Sequence, residues 1–250
     1  MRVAALYDIH GNLPALEAVL ADTERAGVER LVFGGDFIWG PFPSESVDLL
    51  RALGERAIVI AGNSEREVVD RLDISGELPD HLIEPVRWTA ERLTDDQLEF
   101  VAELPKTAVL DVEGLGSTLF CHATPRSDEE LMTPKTPESA LADIFEGVEQ
   151  RIVVCGHTHM QYDHSSAGRR IVNPGSVGMP YEPEPGAYWA VLGPDVQLRR
   201  TPYDVESALE KIQATGFPYD DLARALLMPP SKEVTIDSLE EQRRTDTRER

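Results

Sequence analysis

RVAALYDIHGNLPALEAVLADTERAG, residues 2–27, sets the reading of the whole chain. RVAALY is short and apolar, and polar DIHGN follows. Leu13, Leu16, Val19 and Leu20 then recur at helical spacing, giving the order strand, loop, helix. Asn12 is a favourable helix cap, Pro14 suits the first turn and Gly27 supplies a stop. The unit recurs: RLVFGGD (30–36) precedes a helix from about Ser44 to Leu53, and RAIVIAGN (56–63) precedes another helical stretch. Three such units in succession imply a parallel sheet with right-handed crossovers.

Downstream, residues 64–104 are expected as a helical insertion beside the sheet, broken around Gly76 to Pro79 and at Leu93-Thr94. From Thr107 the pattern changes to short alternating runs. These are TAVLDV, STLFCH, RIVVCGH, a hairpin through QYDHSSAGRRIVN with Ala167-Gly168 near its turn, then AYWAVL and VQLRR. A second, partly antiparallel sheet is the simplest account. Residues 204–227 suit two short helices split at Gly216 to Pro218. Residues 1–228 are thus expected as one domain, and 229–250, with Pro-Pro and EEQRRTDTRER, as a charged, mobile or weakly docked tail.

With 41% hydrophobic residues over 250 positions, the chain can bury one sizeable core. Its net charge of −21 repels polyanions, which argues against non-specific nucleic-acid binding and against anionic membranes. A cleft holding divalent cations can still accept a single phosphate group. MRVAALYDIH is too short for a signal peptide and no window suits a membrane span, so a cytoplasmic setting is expected. Cys121 and Cys155 each close an apolar run, and in a reducing compartment two buried thiols are expected in preference to a disulfide.

Ligands of open α/β sheets bind at the carboxyl ends of the strands, and the metal-competent side chains collect there. Asp8 and His10 follow the first strand, Asp36 the second, Asn63 the third, His122 the STLFC run, and His157 and His159 the RIVVC run. Singly each has a bland account: a capping turn for Asp8-Ile9-His10, a strand-to-helix turn for Gly35-Asp36 or Gly62-Asn63, a core histidine for His122. Two histidines at i and i+2, as in Gly156-His157-Thr158-His159, face one side of an extended segment. Seven such groups at one topological level favour a common centre. Two cations fit it better than one: Asp36 bridging, with Asp8, His10 and His159 on one side and Asn63, His122 and His157 on the other. Ions about 3.5–4 Å apart activate a shared water and clamp a phosphoryl oxygen. Mixed imidazole and carboxylate ligation points to manganese first, with iron, zinc, cobalt or nickel as alternatives.

Asp8-x-His10, Gly35-Asp36, Gly62-Asn63, His122 and Gly156-His157-x-His159 resemble, in order, the motif series of the calcineurin-like metallophosphoesterase superfamily. Asn173-Pro174-Gly175-Ser176 is similar to a segment of its small bacterial phosphodiesterase branch. The resemblance covers roughly residues 3–195. It implies an α/β, four-layer αββα sandwich of two mixed sheets flanked by helices, and a dinuclear centre whose bridging hydroxide attacks a phosphate ester. Asp36, Asn63 and His122 would serve catalysis as well as ligation. The expected substrate is a small-molecule or nucleotide phosphate ester, most simply a diester. Phosphoprotein phosphatase, dinucleoside polyphosphate hydrolase, and a non-catalytic scaffold like the retromer subunit of this fold are the alternatives.

The sequence departs from the family at Gly62-Asn63-Ser64-Glu65, where many members have histidine after the asparagine, assigned to proton donation or phosphate orientation. Its loss predicts better turnover of activated aryl esters than of alkyl esters, since a general acid contributes roughly 10²- to 10⁴-fold. Arg126 is a candidate phosphate-binding residue, its alternative being a surface pair with Asp128 or Glu129. Asn63 is a further substrate-binding candidate. Trp39, in WGPFP, either roofs the cleft and stacks on a base or aryl ring, or packs a rigid turn. His81 and His164 read as ordinary surface residues.

Overall fold

The computed structural model describes residues 1–70, 80–229 and 231–249. Two five-stranded mixed sheets carry the architecture. The first has the order β10-β9-β1-β2-β3, where β1 is Val3–Leu6, β2 Arg30–Phe33, β3 Ala57–Val59, β9 Ala187–Leu192 and β10 Val196–Thr201. The second has the order β4-β5-β6-β8-β7, with β4 Thr107–Val112, β5 Gly116–Cys121, β6 Ile152–Val154, β7 Gln161–Ser166 and β8 Arg169–Pro174.

The three opening units behave as their sequence predicts, with β1, β2 and β3 parallel. Helix α1 (Leu13–Ala26) is capped by Asn12, whose Oδ1 accepts from the Ala15 N–H, and ends at Gly27 with φ 64°. Helix α2 is Pro43–Ala52. β1 has no solvent face because both sides of its pleat are occupied. Val3, Ala5 and Tyr7 point into the core between the sheets, with Val32, Phe120, Val154 and Val172. Ala4 and Leu6 point to the helical side, with Leu16 and Val19 of α1 and Val47 and Leu50 of α2. The outer face of the second sheet packs Leu119, Val153 and Ile171 against Leu141 and Ile144 of α6 (Glu138–Ile144). The expected α/β sandwich of two mixed sheets with helices is the observed fold.

The insertion is helical: α3 is Asn63–Asp70, α4 Asp80–Ala90 and α5 Asp95–Ala102. The break at Leu93-Thr94 is real, since Thr94 caps α5 in a reciprocal capping box with Gln97. The break at Gly76 to Pro79 lies outside the described residues. Helices α7 (Val205–Thr215) and α8 (Asp220–Leu227) follow the second half as expected. Both cysteines are buried free thiols.

One expectation needs correction. AYWAVL and VQLRR do not join the second sheet. As β9 and β10 they complete the first, β9 lying antiparallel to β1. Every residue of β9 is buried, because Trp189 and Val191 face the helical core while Ala190 and Leu192 face the inter-sheet core. Beyond Pro229 the described tail is helical. Lys232–Glu249 forms helix α9, docked through polar contacts that its apolar pattern does not advertise. Thr133 and Thr136 hydroxyls both donate to Glu240 Oε1 at 2.7 Å, Lys135 pairs with Asp237, and Lys232 Nζ reaches Glu182 at 2.8 Å.

Candidate metal centre

All seven predicted ligands come to the same end of the two sheets. Six of them form two groups, Asp8-His10-His159 and Asp36-His122-His157, within each of which the ligand atoms lie inside 4.8 Å of one another. Asp36 stands between the groups, with Oδ2 3.9 Å from His10 Nε2 and Oδ1 3.4 Å from His122 Nε2. Asp8 Oδ1 is 3.6 Å from His159 Nε2 and 4.0 Å from His122 Nε2. Asn63 Oδ1 is 3.1 Å from His122 Nε2. His10 and His159 bring their Nε2 atoms to 3.0 Å.

The backbone is bent out of its ordinary range to achieve this. Asp8, His10, Asp36, His157 and His159 all have φ between 48° and 67°. Among the described residues, Ala167 at the hairpin turn is the sole other non-glycine with positive φ. Such left-handed conformations cost on the order of 1–3 kcal/mol each and persist where the surroundings impose them. Glycine is obligatory at close quarters here. A Cβ on Gly62 would lie 2.3 Å from Asp36 Oδ1, and one on Gly35 (φ 92°) 2.7 Å from His122 Nδ1.

A layer of hydrogen bonds orients several of the candidate ligands. His122 Nδ1–H donates to the Gly34 carbonyl at 2.9 Å and His159 Nδ1–H to the Met179 carbonyl at 2.8 Å, so both Nε2 lone pairs face the centre. The backbone N–H of His157 donates to Asp8. Asn173 Nδ2 donates to the Gly156 carbonyl, and Ser176 Oγ donates to the Asp8 carbonyl at 2.6 Å, so the Asn-Pro-Gly-Ser segment braces both turns. Glu65, 1% exposed, is the chief residue that sequence reasoning missed. Its Oε2 accepts from the Asp36 and Gly62 N–H groups and its Oε1 from those of Phe37 and Ile38, at 2.7–3.2 Å. Glu67 accepts from Asn63 Nδ2 at 3.0 Å, turning the amide oxygen toward the ligands. An acidic residue near the start of a polar helix reads as surface, so neither role has a sequence signal. At the departed position, Ser64 donates its hydroxyl to Asp36 Oδ1 at 2.8 Å, and its N–H points to the same oxygen.

The charge states suit cations. Burial lowers His10 and His157 to about 4 and His159 well below its usual range, leaving neutral imidazoles at neutral pH. Burial tends to raise Asp36, but His122, His10 and His157 more than offset it and hold the carboxyl below its usual range. Burial pushes Asp8 up, aided by Asp36 and opposed by His122. Burial would also lower His122, yet Asp36 and Asp8 raise it. Burial and Asp36 lift Glu65 to about 7 against its N–H donors, and burial lifts Glu67 to about 7. Neutral imidazoles at His10, His157 and His159, together with His122 and the Asp8 and Asp36 carboxyls, are the donor set of a divalent transition-metal pair. The residues present fit such ions.

The remaining candidates lie around this centre. Arg126 is tied to Glu130 rather than to Asp128 or Glu129: Nε donates to Glu130 at 2.8 Å and a terminal nitrogen to the Asp143 carbonyl at 3.1 Å. Asp128 and Glu129 instead hold Arg66. Trp39 is 6% exposed, edge-on to His10 at 5.4 Å between ring centroids and packed against Phe217 and Tyr219. With its faces packed, Trp39 has the geometry of the rigid-turn alternative, not of an open stacking platform. His81 is exposed on α4 and His164 half-buried in β7, both away from the ligand groups.

Fold and site together define an α/β protein whose facing sheets present two histidine–carboxylate groups at their strand ends. The chain belongs to the calcineurin-like phosphoesterase superfamily, whose domain model matches residues 1–193. An uncharacterised protein of Methanocaldococcus jannaschii is 26% identical over 242 residues, covering 86% of this chain and 93% of that protein. A metallophosphoesterase from Sphaerobacter thermophilus superposes with a TM-score of 0.72 at 27% identity, covering 92% of this chain and 99% of the other. A hypothetical protein from Pyrococcus horikoshii has the same fold, with a TM-score of 0.77 at 23% identity over 92% and 99% of the two chains.

Proposed function

We propose that this chain is a phosphodiesterase for small-molecule or nucleotide phosphate esters. It would work with two divalent transition-metal ions, manganese foremost, held by Asp8, His10, Asp36, Asn63, His122, His157 and His159. The observation that carries the reading is the left-handed backbone at five of these seven residues, which packing alone has no reason to concentrate there. Retention of every ligand position speaks against a non-catalytic scaffold.

When bound, the ions would supply an activated water and neutralise charge on the phosphoryl oxygens. The chain's own groups prepare for this. Asp36, kept ionised between the two groups, holds the central position. The Nδ1–H groups of His122 and His159 are committed to carbonyls, so each ring turns its Nε2 toward the centre. Glu67 sets the Asn63 amide, and Glu65 locks the Asp36 loop to Gly62. Ser64 commits its hydroxyl to Asp36, so this position has no proton to give a leaving group. The net charge of −21 favours small substrates over polymeric nucleic acid. A reducing, cytoplasmic setting accords with the two free thiols.

Metal analysis of the purified chain, with hydrolysis of bis-p-nitrophenyl phosphate in Mn²⁺, tests the reading. Two ions per chain and metal-dependent turnover are expected. Protein that binds no ion and hydrolyses nothing would leave the scaffold.

A further inference from the structure

The metal centre is open on one side. Asp8, His10, Asp36, His122 and His159 are buried, whereas Asn63 and His157 are half-buried. Trp39, backed by Phe217 and Tyr219, closes the His10 side, and the Tyr181 ring lies 4.9 Å from that of His159. Next to His122 lies a cavity of about 140 Å³, bounded by Lys106, Thr124, Arg126, Ser127 and Asp128. Whole-ligand pockets run to roughly 300–1,000 Å³, so this cavity suits one arm of a substrate.

Of the charged residues that line it, Lys106 is the one without a hydrogen bond or ion pair among the described residues. Asp128 is engaged by Arg66 at 2.9 Å, and Arg126 by Glu130 at 2.8 Å. Lys106 feels Asp128 electrostatically but makes no hydrogen bond or ion pair within 4 Å among the described residues. Ser127 Oγ accepts from the Glu129 and Glu130 N–H groups, and no hydrogen bond among the described residues uses its proton. An ammonium with no close partner and a free hydroxyl donor thus line a cavity touching a ligand histidine, in a chain of net charge −21.

Resting on the phosphodiesterase reading, we infer that Lys106 is a specificity-determining residue. It binds an anionic group, a carboxylate or a phosphate, carried on one arm of the ester that reacts at the metal centre. The substrate class is therefore a phosphate ester with a second negative charge a few bonds from the reacting phosphorus. Arg126 shapes the wall of this subsite and is not its anchor, because its fork is occupied by Glu130 and the Asp143 carbonyl.

The test uses the Mn²⁺-loaded full chain and three p-nitrophenyl phosphodiesters with the same leaving group, whose second arm ends in ethyl, 2-carboxyethyl or 2-phosphoethyl. Wild type is expected to favour the charged arms in kcat/KM, and the better of the two identifies the anion. Lys106 is exposed, and Lys106→Met is expected to cut that preference up to about tenfold, the order of one charge-assisted hydrogen bond, with Lys106→Arg keeping most of it. Calorimetric binding of the non-hydrolysable phosphonate analogue with a carboxylate arm should weaken about tenfold in Lys106→Met as well. Equal rates for all three esters in wild type, or an unchanged preference in Lys106→Met, overturns the inference and leaves the phosphodiesterase reading intact. Failure of the metal-replete protein to hydrolyse any of the three overturns that reading, and this inference with it.

Discussion

Replacing Glu65 by glutamine tests whether the centre is held by its buried carboxylate. The two oxygens each serve two backbone N–H groups: Oε2 those of Asp36 and Gly62, Oε1 those of Phe37 and Ile38. In Glu65→Gln one oxygen becomes an NH₂ facing two donors, so two buried N–H groups lose their acceptor whichever way the amide turns. Unsatisfied buried groups cost about 1–3 kcal/mol each, which gives a destabilisation of about 2–6 kcal/mol. At about 2–4 °C per kcal/mol for a chain of this size, the midpoint should fall by roughly 4–24 °C. The assay is urea and thermal unfolding of the metal-free protein at pH 8, above the value of about 7 to which burial and Asp36 lift this carboxyl. A parallel Mn²⁺ titration should show weaker binding, because the displaced N–H groups belong to the loops that present Asp36 and Asn63. A stability loss under about 1 kcal/mol, or a loss with unaltered Mn²⁺ affinity, would rule out this role for Glu65.

Two further outcomes are expected. Because Ser64 spends its hydroxyl on Asp36, bis-p-nitrophenyl phosphate should turn over at least about 100-fold faster than a dialkyl phosphate, and equal rates would count against the absence of a proton donor. Helix α9 should loosen in acid. Burial pushes Glu240 up, but the Thr136 and Thr133 hydroxyls and Arg243 hold it below its ordinary 4.5. Its contribution is therefore present above pH 4.5 and lost as pH falls through the depressed value. Glu240→Ala should lower amide protection in α9 about tenfold at neutral pH, as removal of a buried acceptor shared by two hydroxyls requires; undiminished protection would show that α9 docks by other means.

The candidate ligand set was legible in the sequence because each member sits just past a strand whose apolar run marks it, and the carboxyl edge of such a sheet is a single place in space. The cap at Asn12 and the stop at Gly27 were equally readable, being decided by neighbours a few residues away. Glu65 and Glu67 were not. Their partners depend on how α3 meets the Asp36 loop, and no local pattern separates a buried carboxylate from a solvated one. Trp39 and Arg126 each carried two readings in the sequence. Burial against His10 and Phe217, and the bond to Glu130, are long-range or loop-specific facts.

What the sequence by itself determined is everything governed by periodicity and short-range chemistry: the strand–loop–helix units, their stops, and the seven metal-competent side chains at strand ends. Only the tertiary structure decided which sheet received Ala187–Leu192, since an apolar run can pair with any edge of matching register, and burial on both faces beside β1 made the choice. The same holds for α9, a helix polar nearly all round whose docking depends on threonines about a hundred residues earlier. The left-handed turns at Asp8, His10, Asp36, His157 and His159 also belong to the tertiary structure, because no residue adopts that conformation for its own sake and the convergence of two sheets imposes it.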